Sequence, residues 1–404
     1  MKRKVMLTFT TLVFVYFISG LFINRYNLDV IDNRLTVTHP HEYYDYSGII
    51  NVHTNLSTGS ASYTSIVNAA EETGLDFIYF TDHNLFDPPK EFEGYHDSVL
   101  AFVGGEYSYL NTRLLNIGAS HKKHLLGLGR SQAIFADLLS QEITDEEVGG
   151  FILAHPLKPG YQWAGAFPPG LAGIELVNLK EIWRTAWTKN PISFLWTLFI
   201  YPFNPELAYI RLFDPPVELT RYWDQLNQEQ KVIGFSGADA EAQIKTPLGH
   251  MLNFPSYEVL FNIMRNHVLL ASELTGNAKS DGEKISAALL KGQFYMSLDI
   301  MADPSGFNAV VINKEGQEFM MGSEIPWEEG LSIDVHLPQK PKVPFETIVI
   351  KDGSPIVLSN SQNSSFILHG PGVYRIVVRV IPTFPLPDGK KWIEWIYTNP
   401  FYIR

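Results

Sequence analysis

Seven short β-runs follow one another between Ser47 and Asp239: GIINVHT, LDFIYFTDH, LAFVGGE, KHLLGLG, GGFILAHP, AGIELVN and KVIGFSGAD. Helix-like periodicity separates several of them, as over Thr64 to Thr73 and Ser131 to Ser140. Strand alternating with helix predicts a parallel sheet with crossover helices, open or closed into a βα barrel. In closed βα barrels the active site lies at the C-terminal strand ends. Those ends carry His53, His83, Glu106, His155, Glu175 and Asp239, while His124 enters its run from the opposite direction.

One histidine at a strand end is usually a packed or hydrogen-bonded residue. Several on one edge are different, because packing gives no reason to gather them and metal binding does. The chain has no cysteine, so a metal must be held by His, Asp and Glu. Imidazole and oxygen ligands suit Zn, Mn or Fe without choosing among them. With 43 acidic against 31 basic residues the net charge is -12. No long basic run occurs beyond the extreme N-terminus, which argues against nucleic acid as a partner.

At 404 residues and 45% apolar content, the chain has material for two domains. Lys2, Arg3 and Lys4 precede an uncharged apolar run from Val5 to Ile23, close to the roughly 20 residues that cross a bilayer. Its length and the lack of an A-x-A site favour a retained anchor over a cleaved signal peptide. The basic flank places the remainder outside the cytoplasm, periplasmic or extracellular, and secreted if the segment is cleaved. The organisation expected is an anchor over 1–24, a tether over 25–46, a barrel over 47–305 and an all-β sandwich over 306–404, where short alternating runs are punctuated by turns. A lid at about 179–230 interrupts the barrel, since nearly sixty residues separate the sixth and seventh runs. Within it, Ile192 to Phe203 reads either as a buried helix or as an interfacial segment that reaches lipid-like substrates.

The ordered set His53, Thr81 to His83 (TDH), Gly104 to Glu106 (GGE), His124 (HLLGLG), Ala154 to Pro156 (AHP) and Gly237 to Asp239 (GAD) resembles the PHP (polymerase and histidinol phosphatase) superfamily over roughly Ser47 to Gly306. The FNAVVIN and TNPFYIR stretches further resemble its extracytoplasmic, carbaryl-hydrolase-like branch. This resemblance implies a distorted seven-stranded βα (TIM-like) barrel with up to three metal ions. It implies one site from Glu106, His124 and His155, and another from His53, Asp239 and the shared Glu106, with Asn55 as a weak fourth ligand. A third site keeps His83, with Glu241 as a substitute.

Departures narrow that expectation. The family usually opens with H-x-H, where this chain has His53-Thr54-Asn55, and Glu241 stands where its final motif carries histidine. Two divalent ions are therefore expected. A hydroxide bridging such a pair serves as nucleophile, and the cations stabilise charge developing on a phosphoryl or carbonyl oxygen. Asp82 is expected to position water or a ligand, and His83, if it binds no metal, to protonate the leaving group. Lys158 and Arg184 are candidates for binding a small or lipid-like anionic substrate, although both residue types are more often solvated surface charge. The leading function is a phosphoesterase, with an amide or ester hydrolase sharing the same metal core and a degenerate, non-catalytic barrel as alternatives.

Overall fold

A computed structural model describes residues 2–32, 43–85, 88–110, 112–118, 150–163, 165–167, 170–245, 249–385 and 388–404. The fourth expected run, its histidine His124 and the helix over Ser131 to Ser140 lie outside the described residues. At the centre is β1 (Tyr44–Val52), whose last six residues are buried. This is the burial of a strand covered on both faces, and it explains why the GIINV stretch is apolar at consecutive positions. On one edge β1 pairs in parallel with β2 (Phe77–Phe80). Between them α2 (Tyr63–Glu72) starts at Ser62, whose side chain accepts the Ser65 N–H, and buries Tyr63, Ile66, Val67 and Ala70 on one stripe.

The sheet continues from β2 to β4 (Val99–Val103), which also carries the short β3 (Gly94–His96). After Gly104 the chain resumes as β5 (Gly105–Tyr109), so LAFVGGE is two strands rather than one. Next, β6 (Thr112–Asn116) lies antiparallel to both β5 and β7 (Phe151–Ala154). β7 then pairs in parallel with β8 (Gly173–Asn178), and β8 with β9 (Ile233–Ala240). β9 reaches the other edge of β1 along its last residues. Beyond a two-stranded ladder of β10 (Ile244–Lys245) and β11 (Met251–Leu252), that same edge pairs antiparallel with β12 (Arg265–Leu270), which pairs with β13 (Phe294–Ser297). The result is a mixed α/β fold around one large sheet. A regular seven-stranded βα barrel is not what the strands form, because β5 to β7 meander and β12 and β13 run against β1.

The C-terminal strands are β14 (Asn308–Ile312), β15 (Glu318–Met320), β16 (Glu324–Ile325), β17 (Ser332–His336), β18 (Phe345–Lys351), β19 (Ser354–Ser359), β20 (Asn363–Ile367), β21 (Gly372–Val380), β22 (Ile393–Thr398) and β23 (Phe401–Ile403). Four of them form a separate sheet in the order β15-β14-β17-β20. The others join the large sheet, because β22 pairs with β13 through Tyr295 and Thr398, Met296 and Tyr397, and Ser297 and Ile396. Asn399 reinforces the seam: its side chain accepts the Gly234 N–H and donates to the carbonyls of Gly234 and Phe294.

The N-terminal α1 (Lys2–Asn24) is long and apolar enough to cross a membrane. Signal sequences pass the same test. The chain after it is bound to the body: Val30 and Ile31 are buried, and Val30 exchanges backbone hydrogen bonds with Met301 and Lys342. The insertion after β8 contains α3 (Leu179–Lys189), α4 (Pro191–Ile200), α5 (Pro205–Ile210) and α6 (Val217–Glu229), three of them begun by an asparagine whose side chain caps the first turn. Two further helices, α7 (Tyr257–Phe261) and α8 (Ala278–Lys291), flank β12.

Candidate metal centre

Five of the expected ligands meet at one edge of the large sheet. His53 follows β1 and donates its N–H to the Ala240 carbonyl, which ties it to the end of β9. His83 follows β2 and forms a single bridge with Glu106 of β5. His155 follows β7, and Asp239 is the penultimate residue of β9. Strand ends converge there because β1, β2, β7 and β9 run the same way.

The side chains form a chain of pairs. His83 Nδ1 lies 3.3 Å from Glu106 Oε2, and the same oxygen is 3.7 Å from His53 Nε2. His53 Nε2 is 3.6 Å from Asp239 Oδ1, and His155 Nε2 is 3.6 Å from Asp239 Oδ2. His155 Nδ1 is 3.7 Å from Glu175 Oε2. All but His83 are buried. The separations of 3.6–3.7 Å exceed a normal hydrogen bond. They approach the spacing of two ligand atoms on one tetrahedral cation, about 3.4 Å for bonds of about 2.1 Å. His53 Nδ1 is buried without a hydrogen-bond partner among the described residues. Donor type, burial and pair spacing therefore fit a divalent cation.

The backbone is strained where the site requires it. Four of the eight non-glycine residues with positive φ among the described residues are here: Asn51 (65°), Asn84 (52°), His155 (51°) and Asp239 (44°). Such conformations cost on the order of 1 kcal/mol or more each and concentrate at functional sites. Gly237, the first residue of GAD, has a steric reason as well: a Cβ there would stand 1.9 Å from Glu175 Oε1.

Electrostatics shift the carboxylates in different directions. Burial pushes Glu106 toward the neutral acid, but the His83 hydrogen bond and the nearby His53 and His155 outweigh it and bring its pKa below the usual value. For Asp239 burial is likewise overcome, here by Lys180, His155 and His53, and its pKa falls well below the ordinary range. Glu175 goes the other way: burial and the Asp239 charge raise it against His155 and the amides of Asn178 and Asn51.

The other expected residues are placed as follows. Asp82 accepts from Thr54 N at 2.7 Å, Thr54 Oγ1 at 2.8 Å, Ser57 Oγ at 2.5 Å and Tyr63 Oη at 2.9 Å. It braces the loop after His53. Asn55 is exposed and its N–H is bound by the Ala61 carbonyl. Glu241 accepts from Lys180 Nζ at 2.6 Å. Lys158 pairs with Glu181 at 2.6 Å and lies over the Tyr161 ring. Arg184 is 64% exposed and faces Glu181 at 3.6 Å. His124 lies outside the described residues.

Two participants escape the sequence reading. Asn178 Nδ2 donates to Glu175 Oε2 at 2.9 Å and Asp239 Oδ2 at 3.2 Å while its Oδ1 caps α3. Lys180 Nζ lies 3.4 Å from Asp239 Oδ1 as well as against Glu241. The strand-end rule reaches Asn178, the last residue of AGIELVN. Nothing in the local sequence distinguishes Lys180 from a solvated lysine.

Among the described residues, the one set of three side chains whose ligand atoms all lie within 4.8 Å of one another is elsewhere: His267, Asp299 and Asp303. This trio is a second candidate for a divalent ion. His267 on β12 is opposite Ser47 in register, so the trio lies toward the start of β1, away from His53.

No protein-family model matches the chain, and no curated protein matches it. Among solved structures it is similar to PsfC from Pseudomonas syringae PB-5123, at 12% identity and a TM-score of 0.38, over 64% of this chain and 93% of that one. It is also similar to a two-domain protein containing a predicted PHP-like metal-dependent phosphoesterase from Bacteroides vulgatus ATCC 8482, at 12% identity and a TM-score of 0.36, over 90% of this chain and 99% of that one. Both likenesses are too distant to place the chain in a family.

Proposed function

We propose that the chain is a divalent-metal-dependent phosphoesterase of the PHP type, anchored by α1 and working outside the cytoplasm on phosphodiester or lipid head-group substrates. On this reading the large sheet is a distorted relative of a seven-stranded βα barrel, and 306–404 is a β-sandwich domain. The observation that carries it is the buried series of His53, Asp239 and His155 at parallel strand ends with Glu106 at the start of β5, spaced 3.6–3.7 Å along its pairs. These residues, joined by His124, would hold two ions of Zn, Mn or Fe, and Glu106 would be shared. Bound divalent ions supply Lewis acidity and lower the pKa of water enough to make a nucleophile near neutrality.

The chain's own residues supply the rest. Glu106 and Asp239 are held ionised, ready to bind a cation without first losing a proton. His83 stands at the rim, its side chain 24% exposed, with Asn84 Nδ2 and Ser108 Oγ near Nε2. On this reading His83 passes a proton to a departing alkoxide once substrate displaces the Asn84 amide from Nε2. Asp82 fixes the loop that carries His53, and Lys158 at the cavity wall offers a cation to a phosphoryl oxygen.

One observation favours the non-catalytic reading: the Lys180 ammonium already sits on Asp239 and Glu241, where a cation would go. Elemental analysis of the purified chain separates the two. About two equivalents of Mn or Zn, with hydrolysis of bis(p-nitrophenyl) phosphate, is the expected result. Less than one equivalent and no hydrolysis of phosphodiester or aryl ester overturns the enzyme reading, and hydrolysis of the aryl ester alone moves it to the amide or ester class.

A further inference from the structure

The helix α4 leaves most of its apolar side chains outside. Ile192 is 81% exposed and Leu195 56%, with Trp196 and Phe199 also exposed, while its buried residues are Thr197 and Ile200. Leaving such side chains in water forfeits on the order of 1.5–3 kcal/mol each relative to full burial. At ten residues the helix is about 15 Å long, far too short to cross a bilayer.

What α4 touches indicates what covers it. The Tyr16 ring of α1 packs tilted against Phe199, centroids 4.4 Å apart, and edge-on to Phe203 at 4.8 Å, and its hydroxyl donates to the Phe199 carbonyl at 3.1 Å. Gly20 gives Phe203 room, since a Cβ would stand 2.2 Å from the ring. Asn204 Nδ2 donates to the carbonyls of Ile23 and Tyr26, both at 3.1 Å, and so holds the C-terminal end of α1 to the turn after α4. Apart from this contact α1 is bare, with only 6% of its most apolar window buried and no charged residue from Val5 to Ile23.

We infer that α4 and the last two turns of α1 seat together in the surface of a lipid bilayer, as one wedge. The depths agree. From Tyr16 to Asn24 α1 rises about 12 Å, close to the 5–10 Å to which interfacial helices sink. From Lys2 to Val15 it covers about 20 Å more, which together spans a core of roughly 30 Å. Trp187, Trp196, Arg25 and Lys189, residue types that favour the head-group zone, lie in or beside the seated turns in sequence.

The seating gives the cavity beside the metal centre an address. Asn190 and Ser193, at the start of α4, line a cavity of about 730 Å³ that also reaches His155, Glu175 and Asn178. Its wall is thus a membrane-seated helix, and its ligand is an amphiphile whose polar head stands at the bilayer surface. This ligand assignment rests on the phosphoesterase reading, whereas the seating does not.

The absence of cysteine makes the test clean. Single Ile192→Cys and Leu195→Cys variants of the full chain are spin-labelled in nanodiscs of phosphatidylcholine and phosphatidylglycerol, with Leu12→Cys in α1 and Ile356→Cys on β19 as lipid and water references. Oxygen partitions into lipid and a nickel chelate into water, so their collision ratio at 192 and 195 should exceed that at 356 at least about threefold and approach that at 12. A ratio equal to that at 356, or a label shielded from both reagents as by a second copy, overturns the seating. For the ligand, an Ile192→Ser/Leu195→Ser variant should lose about tenfold on vesicle-presented phospholipid and nothing on bis(p-nitrophenyl) phosphate. Equal losses on both overturn the ligand assignment. A wild type inactive on both overturns the phosphoesterase reading alone, because the spin labels report location without turnover.

Discussion

Two clusters of histidine and carboxylate stand at opposite ends of β1. At its start, His267 Nδ1 meets Asp45 at 2.9 Å and Nε2 meets Asp299 at 3.1 Å. Tyr295 Oη also donates to Asp45, and Ser297 Oγ to Asp299. Eight residues on, about 26 Å along an extended strand, His53 and His155 face Glu106 and Asp239 at 3.6–3.7 Å with a buried ring nitrogen left over. The residue types are the same. Contact lengths separate a closed ion pair from a site with room for a guest, although the closed cluster is the one whose ligand atoms with Asp303 converge within 4.8 Å.

The largest contrast is in metal content and turnover. Glu106→Ala removes the oxygen shared between His53 and His83, and should cost at least about 10²–10³-fold in phosphodiesterase activity together with bound metal. His267→Ala should leave metal content unchanged by elemental analysis. If the losses are reversed, the trio at the start of β1 is the metal site and the comparison is inverted.

Stability should show the opposite ranking. His267→Leu leaves the buried Asp45 and Asp299 with only the Tyr295 and Ser297 hydroxyls and the more distant Arg265 in place of the imidazole between them, and should cost about 3–5 kcal/mol in urea unfolding. Chelated Asp239→Asn should cost less, because Asp239 is offset by an exposed-edge lysine. An Asp239→Asn cost above that of His267→Leu would break the distinction.

The two ends should also respond to pH in opposite senses. Burial lowers the pKa of His267, but Asp299 and Asp45 outweigh it and raise it well above the usual imidazole value. A raised folded pKa gives stability that is complete below about pH 6.5 and lost as pH rises through the folded value. Glu106 and Asp239 are depressed in the metal-free protein, so their contribution is present above about pH 4.5 and lost as pH falls through their folded values. Unfolding of chelated protein from pH 3 to 9 should therefore show the His267→Leu deficit shrinking in alkali and the Asp239→Asn deficit shrinking in acid. The smallest effect belongs to Arg184→Ala. Exposed and loosely paired, it should change stability by less than about 0.5 kcal/mol and activity by less than about twofold.

His53, His83, Glu106, His155 and Asp239 were legible in the sequence because each ends or follows an apolar run, and parallel strands bring such ends together. Lys180 was not, since a lysine in the first turn of a helix is ordinarily solvated and only the fold turns it onto Asp239. His267 sits inside RNHVLL with no local signal. Its partners Asp45 and Asp299 arrive through cross-strand register and a turn, 222 and 32 residues away. The strands β6, β12 and β13 are no shorter than β2 and β7, but they run antiparallel to their neighbours where alternation with helices suggests a parallel sheet.

The seam between β13 and β22 bears on how the chain is made. Synthesis proceeds from the N-terminus, so Tyr295 and Met296 emerge about a hundred residues before Thr398 and Tyr397, their partners. Until then β13 presents an unpaired edge on an otherwise assembled sheet, the kind of edge on which chains join one another. The chain's yield in a cell should therefore depend on how quickly its closing strand is delivered.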